Sequence, residues 1–292
     1  MRFLLTVLVM LASALSAGCS NLLLGVANGA DLPNRLYRRE AGVRYGAEPR
    51  ETLDVYRPAE GAGGAVHPLV VFVHGGRWSS GSKEQYRFVA AGLAAHGFVV
   101  AVPNYRLYPA VRMDAAAEDV AHAVAFAEKS AAAWGADPAR TMLMGHSAGA
   151  QLAALVSYDP RWLAKAGAAP VAAFVGFAGP YDFLPLTADD LIDYFGPPEH
   201  YPATQPVNFV RRASPPAFLA QGLADQTVAL HNTISLAEHL RAAGVPVEVH
   251  LLPNEDHGGV LKRFARFFRS DDELYRTMLR FLAEPPSRTP DG

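Results

Sequence analysis

Short apolar runs of period-free, β-branched character recur along the chain and are separated by longer segments with helical spacing. The runs at 69–73 (LVVFV), 98–102 (FVVAV), 171–177, 217–221 and 247–252 are five to seven residues long, as expected for strands buried on both faces of a parallel sheet. A further strand is expected at 52–56, and another leads from Thr141 into Gly145. Between them, residues 83–96, 114–134, 148–158, 230–243 and 260–282 carry the helical pattern. Asp114 stands where an N-cap is expected, and Gly97 and Gly244 where C-caps are. Strands alternating with helices predict an α/β protein with a mostly parallel sheet covered on both faces. Such sheets place their sites at the carboxyl ends of the strands.

The globular pattern runs from about residue 37 to 284, followed by a polar tail at 285–292 (PPSRTPDG) expected to be disordered. A Gly/Ala-rich stretch at 60–65 reads as a surface turn within this one domain. With 292 residues and a formal net charge of −2, the chain has no basic run or acidic tail that would select nucleic acid as a partner.

The N-terminal residues have a different pattern. Met1-Arg2 is followed by an apolar run from Phe3 to Leu15 and then Ser16-Ala17-Gly18-Cys19, the order of a secretory signal. The single cysteine after three small residues resembles the lipobox of bacterial lipoproteins, although Ser16 stands where leucine is usual. That resemblance implies a signal over 1–18, a lipid on Cys19 and a linker over 19–36. Ser20 in place of aspartate then favours the outer membrane. A cleaved soluble signal and a retained helix are the alternatives, since no charge occurs from Phe3 to Ala30. Each of these readings puts the domain outside the cytoplasm, on a membrane or soluble in the periplasm.

The chemistry concentrates at Gly145-His146-Ser147-Ala148-Gly149, between a strand and a helix. This is the nucleophile-elbow pattern, in which flanking glycines allow a turn tight enough to project the serine hydroxyl above the sheet. A serine needs a base and the base an orienting carboxylate, in the chain order Ser, Asp or Glu, His. His257 lies in a loop after the strand at 247–252, whereas its rivals His231 and His239 fall on a helix and His250 inside a strand. Asp225, just after the strand at 217–221, is the expected acid, with Asp182 the chief competitor. Asp256 adjoins the histidine, and adjacent side chains rarely face one another. The segment Val73-His74-Gly75-Gly76-Arg77-Trp78 ends an earlier strand, where backbone amides can face a developing oxyanion together with that of Ala148.

These motifs together (HGGRW, Val102-Pro-Asn-Tyr-Arg-Leu-Tyr-Pro109, GHSAG and the loops of Asp225 and His257) resemble the α/β-hydrolase superfamily. The likeness is to its HGG-type esterases: hormone-sensitive-lipase-like and feruloyl-esterase-like carboxylesterases and kynurenine formamidases. HGG-x-W fits the latter two branches better than the HGGG of the lipase-like one. The resemblance implies a sheet of about eight strands and an oxyanion hole at Gly76, Arg77 and Ala148, with a triad of Ser147, Asp225 and His257. Tyr105 and Arg106 match residues that support the site. The loops Asp256-His257-Gly258-Gly259 and Leu223-Ala224-Asp225-Gln226 depart from the commoner patterns.

The expectation is a carboxylic ester hydrolase working on small to medium substrates through an acyl-enzyme. An arylformamidase acting on N-formylkynurenine is the alternative, and a non-catalytic binding domain on this fold an alternative of another class. The chain has no H-E-x-x-H, no paired cysteines and no G-x-G-x-x-G after a strand, so neither metal nor other cofactor is expected, and His74 is read as a loop-holding residue, not a ligand. Acyl and alcohol specificity is not legible. Residues 181–209, rich in proline and aromatics, are the candidate partial lid over the pocket.

Overall fold

Alternation along β3 (His67–Val73) sets the architecture. Leu69, Val71 and Val73 point into one apolar cluster and Val70 and Phe72 into another, so both faces of the strand need a cover. The computed structural model describes residues 28, 36–59, 66–265 and 272–287. The signal, Cys19 and most of the linker fall outside the described residues, as does most of the tail.

Eight strands form one sheet in the order β1-β2-β4-β3-β5-β6-β7-β8. Besides β3 these are β1 (Tyr37–Arg44), β2 (Thr52–Pro58), β4 (Val99–Pro103), β5 (Ala136–His146), β6 (Ala173–Phe177), β7 (Ala217–Gly222) and β8 (Val247–Leu252). The pairs β1·β2 and β2·β4 are antiparallel and the other five parallel. One face carries α2 (Met113–Trp134), α3 (Ala148–Tyr158), α4 (Pro160–Ala166) and α7 (His231–Ala242). The other carries α1 (Arg87–Ala94), α8 (Gly259–Lys262) and α9 (Glu273–Ala283). This is the expected α/β-hydrolase arrangement, a mostly parallel sheet between two helical layers.

Several details differ from the sequence reading. The continuous helix expected over 260–282 is two helices, α8 and α9, and Asp272 caps the second by accepting the Tyr275 N–H at 2.8 Å. Asp114 lies inside the first turn of α2, whose N-cap is Arg112. Strand β1 was not foreseen. Most of its residues are exposed, and its attachment is ionic: Asp54 of β2, fully buried, accepts from Arg39 at 2.6 Å and from the Gly42 N–H at 2.9 Å, and pairs with Lys83 at 3.0 Å. An edge strand held by charge leaves no apolar alternation to read.

The candidate lid, 181–209, contains α5 (Asp189–Phe195) and α6 (Tyr201–Thr204). Its rings are largely core: Tyr181, Tyr194 and Phe195 are buried, and Phe183, Tyr201 and Phe209 pack partly buried against the same cluster.

Candidate active site

Ser147 links β5 to α3 with φ 55° and ψ −128°, a conformation that side chains other than glycine seldom adopt. The strain is tolerated because the turn is wedged. A Cβ on Gly145 would sit 2.5 Å from the Gly149 carbonyl oxygen, and one on Gly149 would sit 2.3 Å from the carbonyl oxygens of Val73 and His74. The second contact presses the start of α3 against the end of β3, so the elbow and the HGGRW loop are packed together. The Ser147 N–H donates to the Phe177 carbonyl at 2.9 Å, tying the elbow to β6.

The loop after β8 brings His257 over the elbow. Its Nε2 lies 2.8 Å from Ser147 Oγ and its Nδ1 2.9 Å from Asp225 Oδ2. Asp225 is itself fixed: Oδ1 accepts the N–H groups of Thr227 and Val228 at 2.8 and 3.0 Å. Burial would raise its carboxyl pKa, but the hydrogen bond and charge of His257 and those two amides outweigh burial and hold it below the ordinary value. The acid and histidine loops are pressed together as well. A Cβ on Gly222 would lie 2.0 Å from the Glu255 carbonyl oxygen, and the Ala224 N–H donates to that oxygen at 3.0 Å. The unusual loop sequences therefore form a rigid pair.

None of the rivals reaches the serine. His231 Nε2 meets the Asp182 carbonyl at 2.6 Å, His239 Nδ1 meets the Ser235 carbonyl at 2.8 Å, and His250 stacks on Phe218. Asp182 accepts from Ser235 Oγ at 2.6 Å, away from the imidazole.

In the HGGRW loop Gly76 has φ 127° and Arg77 φ 53°, and a Cβ on Gly76 would lie 2.2 Å from the Ser80 carbonyl oxygen. Ser79 and Ser80 close the turn by donating to the Gly76 carbonyl at 3.2 and 2.9 Å. Ala148 is the first residue of α3, so its N–H is one that the helix cannot satisfy. His74 is fully buried, donates from Nδ1 to the Gly75 carbonyl at 2.8 Å, and stacks on Tyr105 at 4.4 Å. Burial pushes its pKa down to about 4, which suits a neutral prop for the loop. Among the described residues there is no His, Cys, Asp and Glu group able to hold a metal ion. The Tyr105 hydroxyl donates to the His74 carbonyl at 3.1 Å, and Arg106 pairs with the buried Asp119 at 2.6 Å.

The insertion abuts this loop. Trp78 stacks on Tyr194 at 5.6 Å, meets Phe195 edge-on at 5.0 Å, and donates from Nε1 to Gln151 Oε1 at 3.0 Å. Arg77 makes a two-pronged pair with Asp190 of α5, closest at 2.8 Å, and Arg112 pairs with Asp193. A cleft of about 1000 Å³ lies along the insertion, lined among others by Arg112, Trp162, Tyr194 and His200, but Ser147 and His257 do not line it.

Two residues escaped the sequence reading. His146 and Tyr86 are buried beside the elbow and bonded to one another at 3.2 Å. His146 adjoins the serine and had a positional signal. Tyr86 had none, because only the fold brings it there.

Known proteins similar to this chain include several esterases. The BD-FAE family model matches residues 53–240. The esterase LipC of Mycobacterium tuberculosis is 30% identical over 252 residues, covering 78% of this chain and 61% of that protein. The probable isoprenylcysteine alpha-carbonyl methylesterase ICMEL1 of Oryza sativa subsp. japonica is 34% identical over 160 residues, covering 52% and 36%. The chain spans about half the length of the curated relatives it matches. Among solved structures, apo Thermogutta terrifontis esterase 2 superposes with a TM-score of 0.68 at 25% identity, covering 89% of this chain and 98% of that one.

Proposed function

The chain belongs to the BD-FAE family, and from that premise we propose that it is a serine hydrolase cleaving carboxylic esters of small to medium size through an acyl-enzyme. The observation that carries the reading is His257, whose ring joins Ser147 Oγ at 2.8 Å to Asp225 at 2.9 Å. Ser147 Oγ attacks the acyl carbonyl as His257 Nε2 takes its proton. Asp225 keeps the other proton on Nδ1 and stabilises the imidazolium that forms. The oxyanion is received by the amides of Gly76, Arg77 and Ala148. His257 returns its proton to the leaving alkoxide. A water, deprotonated by the same nitrogen, then releases the carboxylic acid and regenerates the serine.

A formamide could be attacked by the same atoms, so the test sets the two substrates side by side. Purified protein should turn over p-nitrophenyl acetate with a kcat/KM at least tenfold above that for N-formylkynurenine. The reverse order would assign it to the formamidases instead.

The lipobox-like Ser16-Ala17-Gly18-Cys19 supports a further part of the proposal: a lipid on Cys19 that holds the enzyme at a membrane outside the cytoplasm. No helix among the described residues is long and apolar enough to cross a membrane. Cys19→Ser should then move the protein from the membrane to the soluble fraction, and an unchanged distribution would count against the lipid.

A further inference from the structure

Tyr86 and His146 lie between the oxyanion loop and the base, and the reaction described above uses neither. Tyr86 ends a short 3-10 turn (Lys83–Tyr86), and its buried hydroxyl accepts the Gly75 N–H at 3.2 Å. The same oxygen lies 3.2 Å from His146 Nδ1, and His146 Nε2 lies 3.0 Å from the backbone carbonyl oxygen of His257.

These contacts have one consistent set of protons. A carbonyl only accepts, so His146 carries its proton on Nε2. In a neutral ring Nδ1 is then an acceptor, so the Tyr86 hydroxyl donates to it and keeps a lone pair for Gly75. Burial, reinforced by the nearby charge of His257, pushes the His146 pKa down to about 3, so the ring is neutral wherever the enzyme works. Burial likewise pushes the Tyr86 hydroxyl up to about 12, keeping its proton in place.

We propose that His146 and Tyr86 are positioning residues that tie the oxyanion loop to the loop of the base. The chain of bonds runs Gly75 N–H to Tyr86 hydroxyl to His146 Nδ1, and from His146 Nε2–H to the His257 carbonyl. It rests on reading Ser147 and His257 as nucleophile and base. The loop that carries His257 follows an edge strand whose residues are mostly half-buried. Backbone bonds flank the histidine on both sides: Ala224 donates to the Glu255 carbonyl, Gly259 to the Asp256 carbonyl and Leu261 to the Gly258 carbonyl. The His146 bond is made at the peptide of His257 itself. The two imidazole rings also lie 4.9 Å apart at 42°, limiting movement of the base away from Ser147. Displacement of a catalytic group by about 1 Å can cost about a hundredfold in rate.

The test uses the full chain and His146→Leu, His146→Gln, Tyr86→Phe and the Tyr86→Phe/His146→Leu double variant. Steady-state kinetics on p-nitrophenyl acetate, Tm, and the far-downfield proton resonance of the His257–Asp225 hydrogen bond are read for each. His146→Leu should lower kcat about tenfold to a hundredfold, with KM within about twofold, and broaden or abolish the resonance. His146→Gln, whose amide can still donate to the His257 carbonyl, should recover most of both. Tyr86→Phe should cost less, and the double variant no more than His146→Leu, because one chain can be broken only once. Unchanged kcat and resonance in His146→Leu would overturn the proposal, as would losses in all variants that follow Tm and are not recovered by His146→Gln. The resonance is read without turnover. A wild type that leaves the ester intact would therefore count against the hydrolase reading, while the resonance still decides whether the loops are coupled.

Discussion

His74 props the oxyanion loop and His146 bonds to the peptide of His257, and both are held neutral by burial, with pKa values pushed down to about 4 and about 3. An unfolded histidine titrates near 6.5, about two and a half and three and a half units higher, respectively. Between those values the unfolded chain binds more protons than the folded one, so stability rises with pH up to about 6.5 and is level above it. Asp225 acts in the same direction at lower pH. Its lowered pKa gives stability that is present above the ordinary carboxylate value and lost as pH falls through the folded one. Moving from pH 7.5 to 5 should therefore cost roughly 2 kcal/mol for each of the two histidines. Urea unfolding followed by tryptophan fluorescence at the two pH values measures this, and His146→Gln should show a shallower fall. Equal stability at both pH values would mean that the histidines are not buried as described.

Legibility in the sequence differed between elements for a physical reason. The central strands announced themselves because burial on both faces requires unbroken apolar runs, and β8 has the bounds expected from its sequence. The elbow was legible because its glycines answer to sterics alone: a Cβ at 145 or 149 would strike backbone. Elements held by polar contacts were not legible. Strand β1 depends on Asp54, and α4 begins with Asp159 accepting the Arg161 N–H at 3.1 Å, which no apolar period signals. Residues 260–282 kept a helical pattern on both sides of a break, so periodicity joined what the chain divides into α8 and α9. The insertion shows the limit for function. Its aromatic richness was read as a partial lid, yet Tyr194 and Phe195 are spent on packing against Trp78. What α5 offers the site directly is Asp190, paired with Arg77 across a surface where both side chains stay about half exposed. Such a pair adds little stability.

Over the whole molecule, the sheet order accounts for the site. β3, β5, β7 and β8 run parallel, so the HGGRW loop, Ser147, Asp225 and His257 all emerge at their carboxyl ends, from positions more than 180 residues apart in sequence. Eight strands and two helical layers thus hold an imidazole within hydrogen-bond distance of a hydroxyl on one side and a carboxylate on the other. In that frame Ser147 should be an activated nucleophile. Labelling with a fluorophosphonate, followed by peptide mass spectrometry and by ester turnover of Ser147→Ala, tests it most directly. One adduct is expected, on the peptide containing Ser147 and absent from the variant, with turnover lowered on the order of 10⁴-fold as in other serine triads. A wild type that takes no label, or a Ser147→Ala variant that keeps its turnover, would contradict it and leave a binding domain on a hydrolase fold.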